Sequence, residues 1–117
     1  MNDIVRFETN QRMSRVVKAA GLVFVGGQTS NDRTLDVKGQ TQQVLAKIDA
    51  LLSEAGSSRS KLLAVNIFLP AICDFDAMNE VYDAWIAEAS PPPARACVEA
   101  RLADPNLRVE ITAVAAA

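Results

Sequence analysis

With 117 residues, half of them apolar and 5% aromatic, the chain has the size of one domain, spanning 1–117, and the material for a real core. Twelve basic against fourteen acidic side chains leave a formal charge of −2, which argues against a dedicated nucleic-acid binder with its clustered basic surface. The chain has no histidine, and its two cysteines, Cys73 and Cys97, sit in unlike contexts, so neither a disulfide framework nor a zinc site is suggested and a reducing, cytoplasmic compartment fits. The first residues lack an apolar run of signal-peptide type, and no window approaches the roughly 18 apolar residues of a membrane span.

Ile4–Glu8 alternates weakly and reads as a short strand. Ser14–Ala19 and Leu22–Gly26 flank Ala20-Gly21, a hairpin turn. Leu22-Val23-Phe24-Val25 is a continuous apolar run, the pattern of a strand buried on both faces. It ends in Gly26-Gly27-Gln28, where paired glycines read as a turn but also allow something to approach the backbone closely. Asn31–Asp36 is a polar loop. Val37–Ala55 then places Thr41, Val44, Leu45, Ile48, Leu51, Leu52 and Ala55 at helical spacing, with Gly56 as the stop. Lys61–Leu69 reads as a strand with Val65, Ile67 and Leu69 on one face, ended by Pro70. Asp74 is an N-cap candidate for a helix whose stripe holds Phe75, Met78, Tyr82, Trp85 and Ile86. Asn79 lies on that stripe between Phe75 and Tyr82, so its amide needs a partner on the packed side. Ser90-Pro91-Pro92-Pro93 ends the helix and leaves the chain extended.

The most informative stretch follows. Ala94–Leu102 and Leu107–Thr112 read as two strands joined by a turn. Alternation puts Arg95, Cys97, Glu99 and Arg101 on one face of the first, and Arg108, Glu110 and Thr112 on one face of the second. Pairing the two as a hairpin with Leu102 opposite Leu107 would oppose like charges. Sliding by two residues sets Glu99 against Arg108 and Cys97 against Glu110, with Leu102–Pro105 as the loop. That register gathers a guanidinium, a thiol and a carboxylate on one surface. Taken alone, Arg95 and Glu110 read as a cross-strand ion pair and Cys97 as a small packing residue. The element order β-β-β-α-β-α-β-β implies an α+β layer with both helices on one face of a sheet, and a partly apolar open face that invites another subunit.

Pro93–Glu99 with Val109-Glu110-Ile111 resembles the signature of the RidA/YjgF family of enamine/imine deaminases. Val17–Gln28 is similar to that family's N-terminal hairpin, and Phe75–Tyr82 to its second helix. The resemblance runs along nearly the whole chain. It implies a chorismate-mutase-like α+β fold, a six-stranded mixed sheet with two helices on one face, assembled as a homotrimer with active sites between subunits. It also implies roles. Arg95 would hold a substrate carboxylate, for which a planar fork suits bidentate binding. Cys97 would contact the substrate beside it, Glu110 would position and activate the hydrolytic water, and Gly27 would offer a backbone contact, with Asn79 near the site. One departure stands out. Family members with 2-aminoacrylate deaminase activity read Gly-Pro-Tyr-Ser where this chain reads Gln11-Arg12-Met13-Ser14, so Met13 replaces a polar contact, and Gly26 stands where a serine is often found.

The reaction so implied is hydrolysis of a 2-imino acid, or its enamine tautomer, to a 2-keto acid and ammonia. Such imines already hydrolyse in water, so positioning and proton transfer suffice, and neither metal nor organic cofactor is required. Cys97 is not expected to be a nucleophile, because no histidine is present to activate it. The alternative is a trimeric, non-catalytic protein that binds a keto acid or another small carboxylate, to which the Met13 change lends weight. Nuclease activity has been attributed to some relatives, but it draws little support from an acidic chain without histidine.

Overall fold

A computed structural model describes residues 3–89 and 91–117. Ser90, read above as part of the helix stop, lies outside them. The elements are β1 (Val5–Thr9), β2 (Ser14–Ala19), β3 (Leu22–Gln28), α1 (Val37–Glu54), β4 (Leu62–Leu69), α2 (Phe75–Ile86), β5 (Ala94–Glu99) and β6 (Glu110–Ala116). The strands form one six-stranded sheet in the order β1-β2-β3-β6-β4-β5, in which β4 and β5 run parallel and every other neighbouring pair is antiparallel. The two helices pack on each other, and α1 lies across β3 and β6. This is the expected α+β layer with both helices on one face.

Local chemistry explains the elements that the sequence announces most clearly. In the β2–β3 hairpin Ala19 pairs with Leu22, and the two turn residues Ala20 and Gly21 have φ of 53° and 76°. Left-handed dihedrals at both positions match the twist of the strands they join. Helix α1 opens with the Asp36 carboxylate accepting the Gly39 N–H at 2.8 Å. It closes on Gly56 at φ 79°, where the Ser57 N–H reaches Leu52 O and the Gly56 N–H reaches Ser53 O. Lys18 Nζ adds a bond to Ala55 O at 3.0 Å, a cation at the negative end of the helix. Val44, Ile48 and Leu52 of α1 pack with Val23, Val65, Ile67, Met78 and Ile111 in a core that excludes water.

Four expectations are corrected. Strand β3 is not buried on both faces: Val23 and Val25 are buried, but Phe24 is 43% exposed, because helices cover one side of the sheet only. Gly26-Gly27 is not a turn. The register of β3 against β6 shifts between Val25 and Gln28, so the glycines form a bulge inside a strand that runs on to Gln28. Asp74 stands at the start of α2 without a side-chain cap bond, and its carboxylate instead accepts from Arg108 Nη2 at 2.8 Å.

The fourth correction matters most for function. β5 and β6 are not a hairpin, because β4 lies between them. Helix α2 forms the crossover that lets β5 pair parallel to β4. The connection back to β6 is therefore residues 100–109 rather than a four-residue loop. It rounds the end of β4, where the Ala100 N–H bonds Leu69 O, and is held from below by Gln40. That fully buried amide donates to Leu35 O and Asn106 O and accepts the Arg108 N–H. Glu99 consequently accepts the Ile72 N–H instead of meeting Arg108.

Candidate functional site

Residues directly opposite on neighbouring strands share a face. On β4, Val65 pairs with Arg95 of β5 and Ala113 of β6, and Ile67 pairs with Cys97 and Ile111. Val65, Ile67, Ile111 and Ala113 are buried core residues, so Arg95 and Cys97 lie on the helix side of the sheet. Phe68 pairs with Val98 and Glu110, which places Glu110 on the open side. The guanidinium and thiol thus occupy one face and the carboxylate the other. The predicted single surface does not exist within one chain, and Arg95 and Glu110 are not an ion pair.

What the fold assembles around Arg95 is an aromatic bracket. α2 presents Phe75, Asn79 and Tyr82, at positions i, i+4 and i+7 of one helical face, to the edge strand β5. The Arg95 guanidinium carbon lies 4.8 Å from the Tyr82 ring centroid and 5.8 Å from that of Phe75. Arg95 Nη1 donates to Asn79 Oδ1 at 2.6 Å, giving that amide the partner its position demanded. Among the described residues this is the only hydrogen bond recorded for the Arg95 side chain, so its Nε and Nη2 donors are left for a planar anion. Next to it, half-buried Cys97 packs against the core. Burial pushes its thiol above the ordinary range, and the nearby Arg95 charge offsets this only in part. Sequence reasoning found Arg95, Cys97 and Asn79 but took Phe75 and Tyr82 as core alone. Their shared stripe with Asn79 was the available signal.

The second group of candidates lies at the far side of the sheet. Gly27 sits in the β3 bulge, against Glu110 at the start of β6: a methyl group built there would overlap Glu110 Oε2. Met13 belongs to the β1–β2 turn, in which Asn10 Oδ1 accepts the Arg12 and Met13 N–H groups and the Asn10 N–H bonds Met13 O. The side chain is held out on this braced turn, 49% exposed. The turn and the bulge are neighbours, since Gly26 approaches the Ser14 and Arg15 carbonyls at the start of β2. The six candidates therefore fall into two groups, Arg95–Cys97–Asn79 and Glu110–Gly27–Met13. Neither group lines either of two surface clefts among the described residues, of about 380 and 510 Å³, one between Asp49, Arg59 and Glu88 and the other around Lys18 and Gly21.

Comparison with known proteins gives concordant matches. A family model described as Endoribonuclease L-PSP matches residues 4–117. The RutC family protein YoaB of Escherichia coli K12 is 41% identical over 113 residues, covering 97% of this chain and 97% of that protein. A RutC family protein of Haemophilus ducreyi is 39% identical over 113 residues, covering 97% of this chain and 96% of its own. The crystal structure of a YjgF-family protein from Neisseria meningitidis superposes with a TM-score of 0.93 at 46% identity, covering 97% of this chain and 94% of that one.

Proposed function

The chain belongs to the endoribonuclease L-PSP family, which also carries the YjgF and RutC names, and from that premise we propose that it is an imine deaminase, converting small 2-imino acids to 2-keto acids and ammonia. The observation that carries the reading is the Arg95 bracket: a guanidinium held on one edge by Asn79 with its other edge unspent. Such a fork accepts a carboxylate bidentately. Glu110 would take a proton from water as the water oxygen bonds to the imine carbon. The proton held by Glu110 returns to the nitrogen to give the tetrahedral carbinolamine, and as its C–N bond breaks the hydroxyl oxygen forms the ketone C=O and gives its own proton to the nitrogen, which leaves as ammonia. A placed acid–base group is worth roughly 10²–10⁴-fold, a modest demand for an imine that already hydrolyses unaided.

The two groups of residues lie on opposite faces of the sheet, so one chain does not enclose a substrate. A site completed between subunits resolves this: the Arg95 group of one chain would meet the Glu110 group of the next. The open face, with Phe24 at 43% and Val98 at 47% exposure, offers the apolar surface that such packing would cover. Different surfaces meeting head to tail build a ring when the rotation closes, and the family resemblance, not the geometry, is what sets the number of copies we infer at three.

The test is a competition assay. An amino-acid oxidase generates imines from several amino acids, semicarbazide traps what survives, and the protein competes with the trap. Wild type should lower semicarbazone formation, and Arg95→Ala should not. No effect of wild type on any imine would sink the enzyme reading. Met13, apolar where a polar contact is expected, favours a second reading, a small-carboxylate sensor. Glu110→Gln separates the two, since it should abolish turnover in an enzyme and leave 2-keto acid binding intact in either case.

A further inference from the structure

We propose that Phe75 and Tyr82 are positioning residues that set the orientation of the Arg95 guanidinium, and so its affinity for the substrate carboxylate; this rests on the carboxylate-clamp reading above. An arginine on an edge strand has a long flexible side chain, and freezing it on ligand binding costs affinity. Here the freezing is already done. The Tyr82 and Phe75 rings lie within 4.8 and 5.8 Å of the guanidinium carbon, and Asn79 Oδ1 takes Nη1. Two ring faces and one acceptor restrict both the position of the cation and its rotation. Asn79 thus selects which edge is spent, and the rings hold the remaining Nε–Nη2 edge in place.

The platform is itself anchored. Tyr82 is 4% exposed, and its ring packs on Trp85 with centroids 5.9 Å apart at 51°. Trp85 Nε1 donates to Asp49 Oδ2 at 2.9 Å, which fixes the indole to α1. Phe75 differs: at 38% exposed it borders solvent, its ring centroid 5.8 Å from the guanidinium carbon. It can change with little effect on the core.

The experiment is titration of 2-ketobutyrate into the assembled protein by calorimetry, together with the semicarbazide competition read as a split between KM and kcat. The variants are Phe75→Leu, Tyr82→Leu, Tyr82→Phe and Arg95→Lys. Loss of one ring face should weaken binding and raise KM about two- to fivefold with kcat held, the range expected of a cation–π contact to an exposed guanidinium. Tyr82→Phe keeps the face and should stay within about twofold of wild type on the same reasoning. If Tyr82→Leu fails to fold, solvent-bordering Phe75→Leu carries the test. Unchanged binding in Phe75→Leu and folded Tyr82→Leu overturns the proposal, and so does a loss in Tyr82→Phe equal to that in Tyr82→Leu, which would assign the effect to the hydroxyl. Arg95→Lys retains the charge and loses the fork. If it binds 2-ketobutyrate as wild type does, the clamp reading itself falls, an outcome distinct from failure of the ring variants alone.

Discussion

The Glu110 carboxylate occupies the space that a side chain at residue 27 would need. A Cβ built on Gly27 would overlap Oε2 and stand 3.0 Å from the carboxyl carbon. Gly27 is not among the glycines of positive φ, so close approach rather than an unusual backbone accounts for it. The colliding group is the free end of a half-buried side chain, which can swing away. Gly27→Ala should therefore fold with a melting temperature close to that of wild type, while, if Glu110 activates water as proposed, imine turnover drops roughly 10²-fold as that carboxylate is displaced. Thermal melts run beside the semicarbazide assay check both halves. Full activity in Gly27→Ala would show that the observed Glu110 position is not the working one.

If the site closes between subunits, disrupting the open face should abolish activity without unfolding the chain. Phe24 stands on that face, opposite Val17 on β2 and Val114 on β6. Phe24→Asp should sediment as a monomer, keep the far-ultraviolet circular dichroism of wild type and lose turnover. A fully active monomer would contradict the two-chain site.

Much of this arrangement was legible in the sequence, but unevenly. Helix α1, the Ala20-Gly21 turn and the faces of β6 follow from local patterns, although β6 runs Glu110–Ala116 rather than Leu107–Thr112. Alternation along β5 was also read correctly, yet it does not say which face turns inward. Ala94, Ala96 and Val98 are the more apolar set, and Val98 nonetheless faces out at 47% exposure. An edge strand next to an aromatic helix can place an arginine on the covered side, its methylenes packed and its head outside. The intercalation of β4 between β5 and β6 is a non-local choice that no short window encodes. Gln40 escaped notice for the same reason: its three hydrogen bonds reach residues as far away as Asn106 and Arg108.

Alkaline pH should loosen the fold through two acids that packing shields from water, buried Tyr82 and half-buried Cys97. Burial raises the Cys97 thiol and the Tyr82 phenol above their ordinary values, with the Arg95 charge lowering each in smaller measure. A raised acid pKa means that the folded state holds its proton more tightly than the unfolded chain. The associated stability is then complete below the unfolded pKa and is lost as pH rises through the folded one. Urea midpoints should fall from about pH 8.5 upwards, where an unperturbed thiol begins to titrate, and Cys97→Ala should flatten the first part of that slope. The same raised pKa predicts slow alkylation of Cys97 by iodoacetamide at pH 7 and near-normal deamination by Cys97→Ser. Loss of turnover in Cys97→Ser beyond about tenfold would restore a direct chemical role for the thiol.

The network behind the aromatic bracket should contribute to stability more than to chemistry. The Asp49 carboxylate accepts Arg59 Nε at 3.1 Å, Arg59 Nη2 at 2.7 Å and Trp85 Nε1 at 2.9 Å. Arg59 also donates to Trp85 O at 2.8 Å and stacks 4.8 Å from the Trp85 ring centroid. One carboxylate thus joins α1, the turn before β4 and the end of α2. The pair is partly solvent-accessible, with side chains 22% and 33% exposed, so the Coulombic part is screened and the bidentate geometry matters more. Asp49→Ala leaves the guanidinium with Glu88 and the Trp85 carbonyl only. It should cost about 2 kcal/mol, the range for hydrogen bonds to a charged group, and lower the melting temperature by roughly 8 °C. Because Trp85 retains its contact with Tyr82, binding of 2-ketobutyrate below the transition should change less than in Tyr82→Leu. A stability change under about 0.5 kcal/mol would place these bonds with ordinary surface ion pairs. A binding loss as large as that of Tyr82→Leu would instead extend the Arg95 platform as far as Asp49.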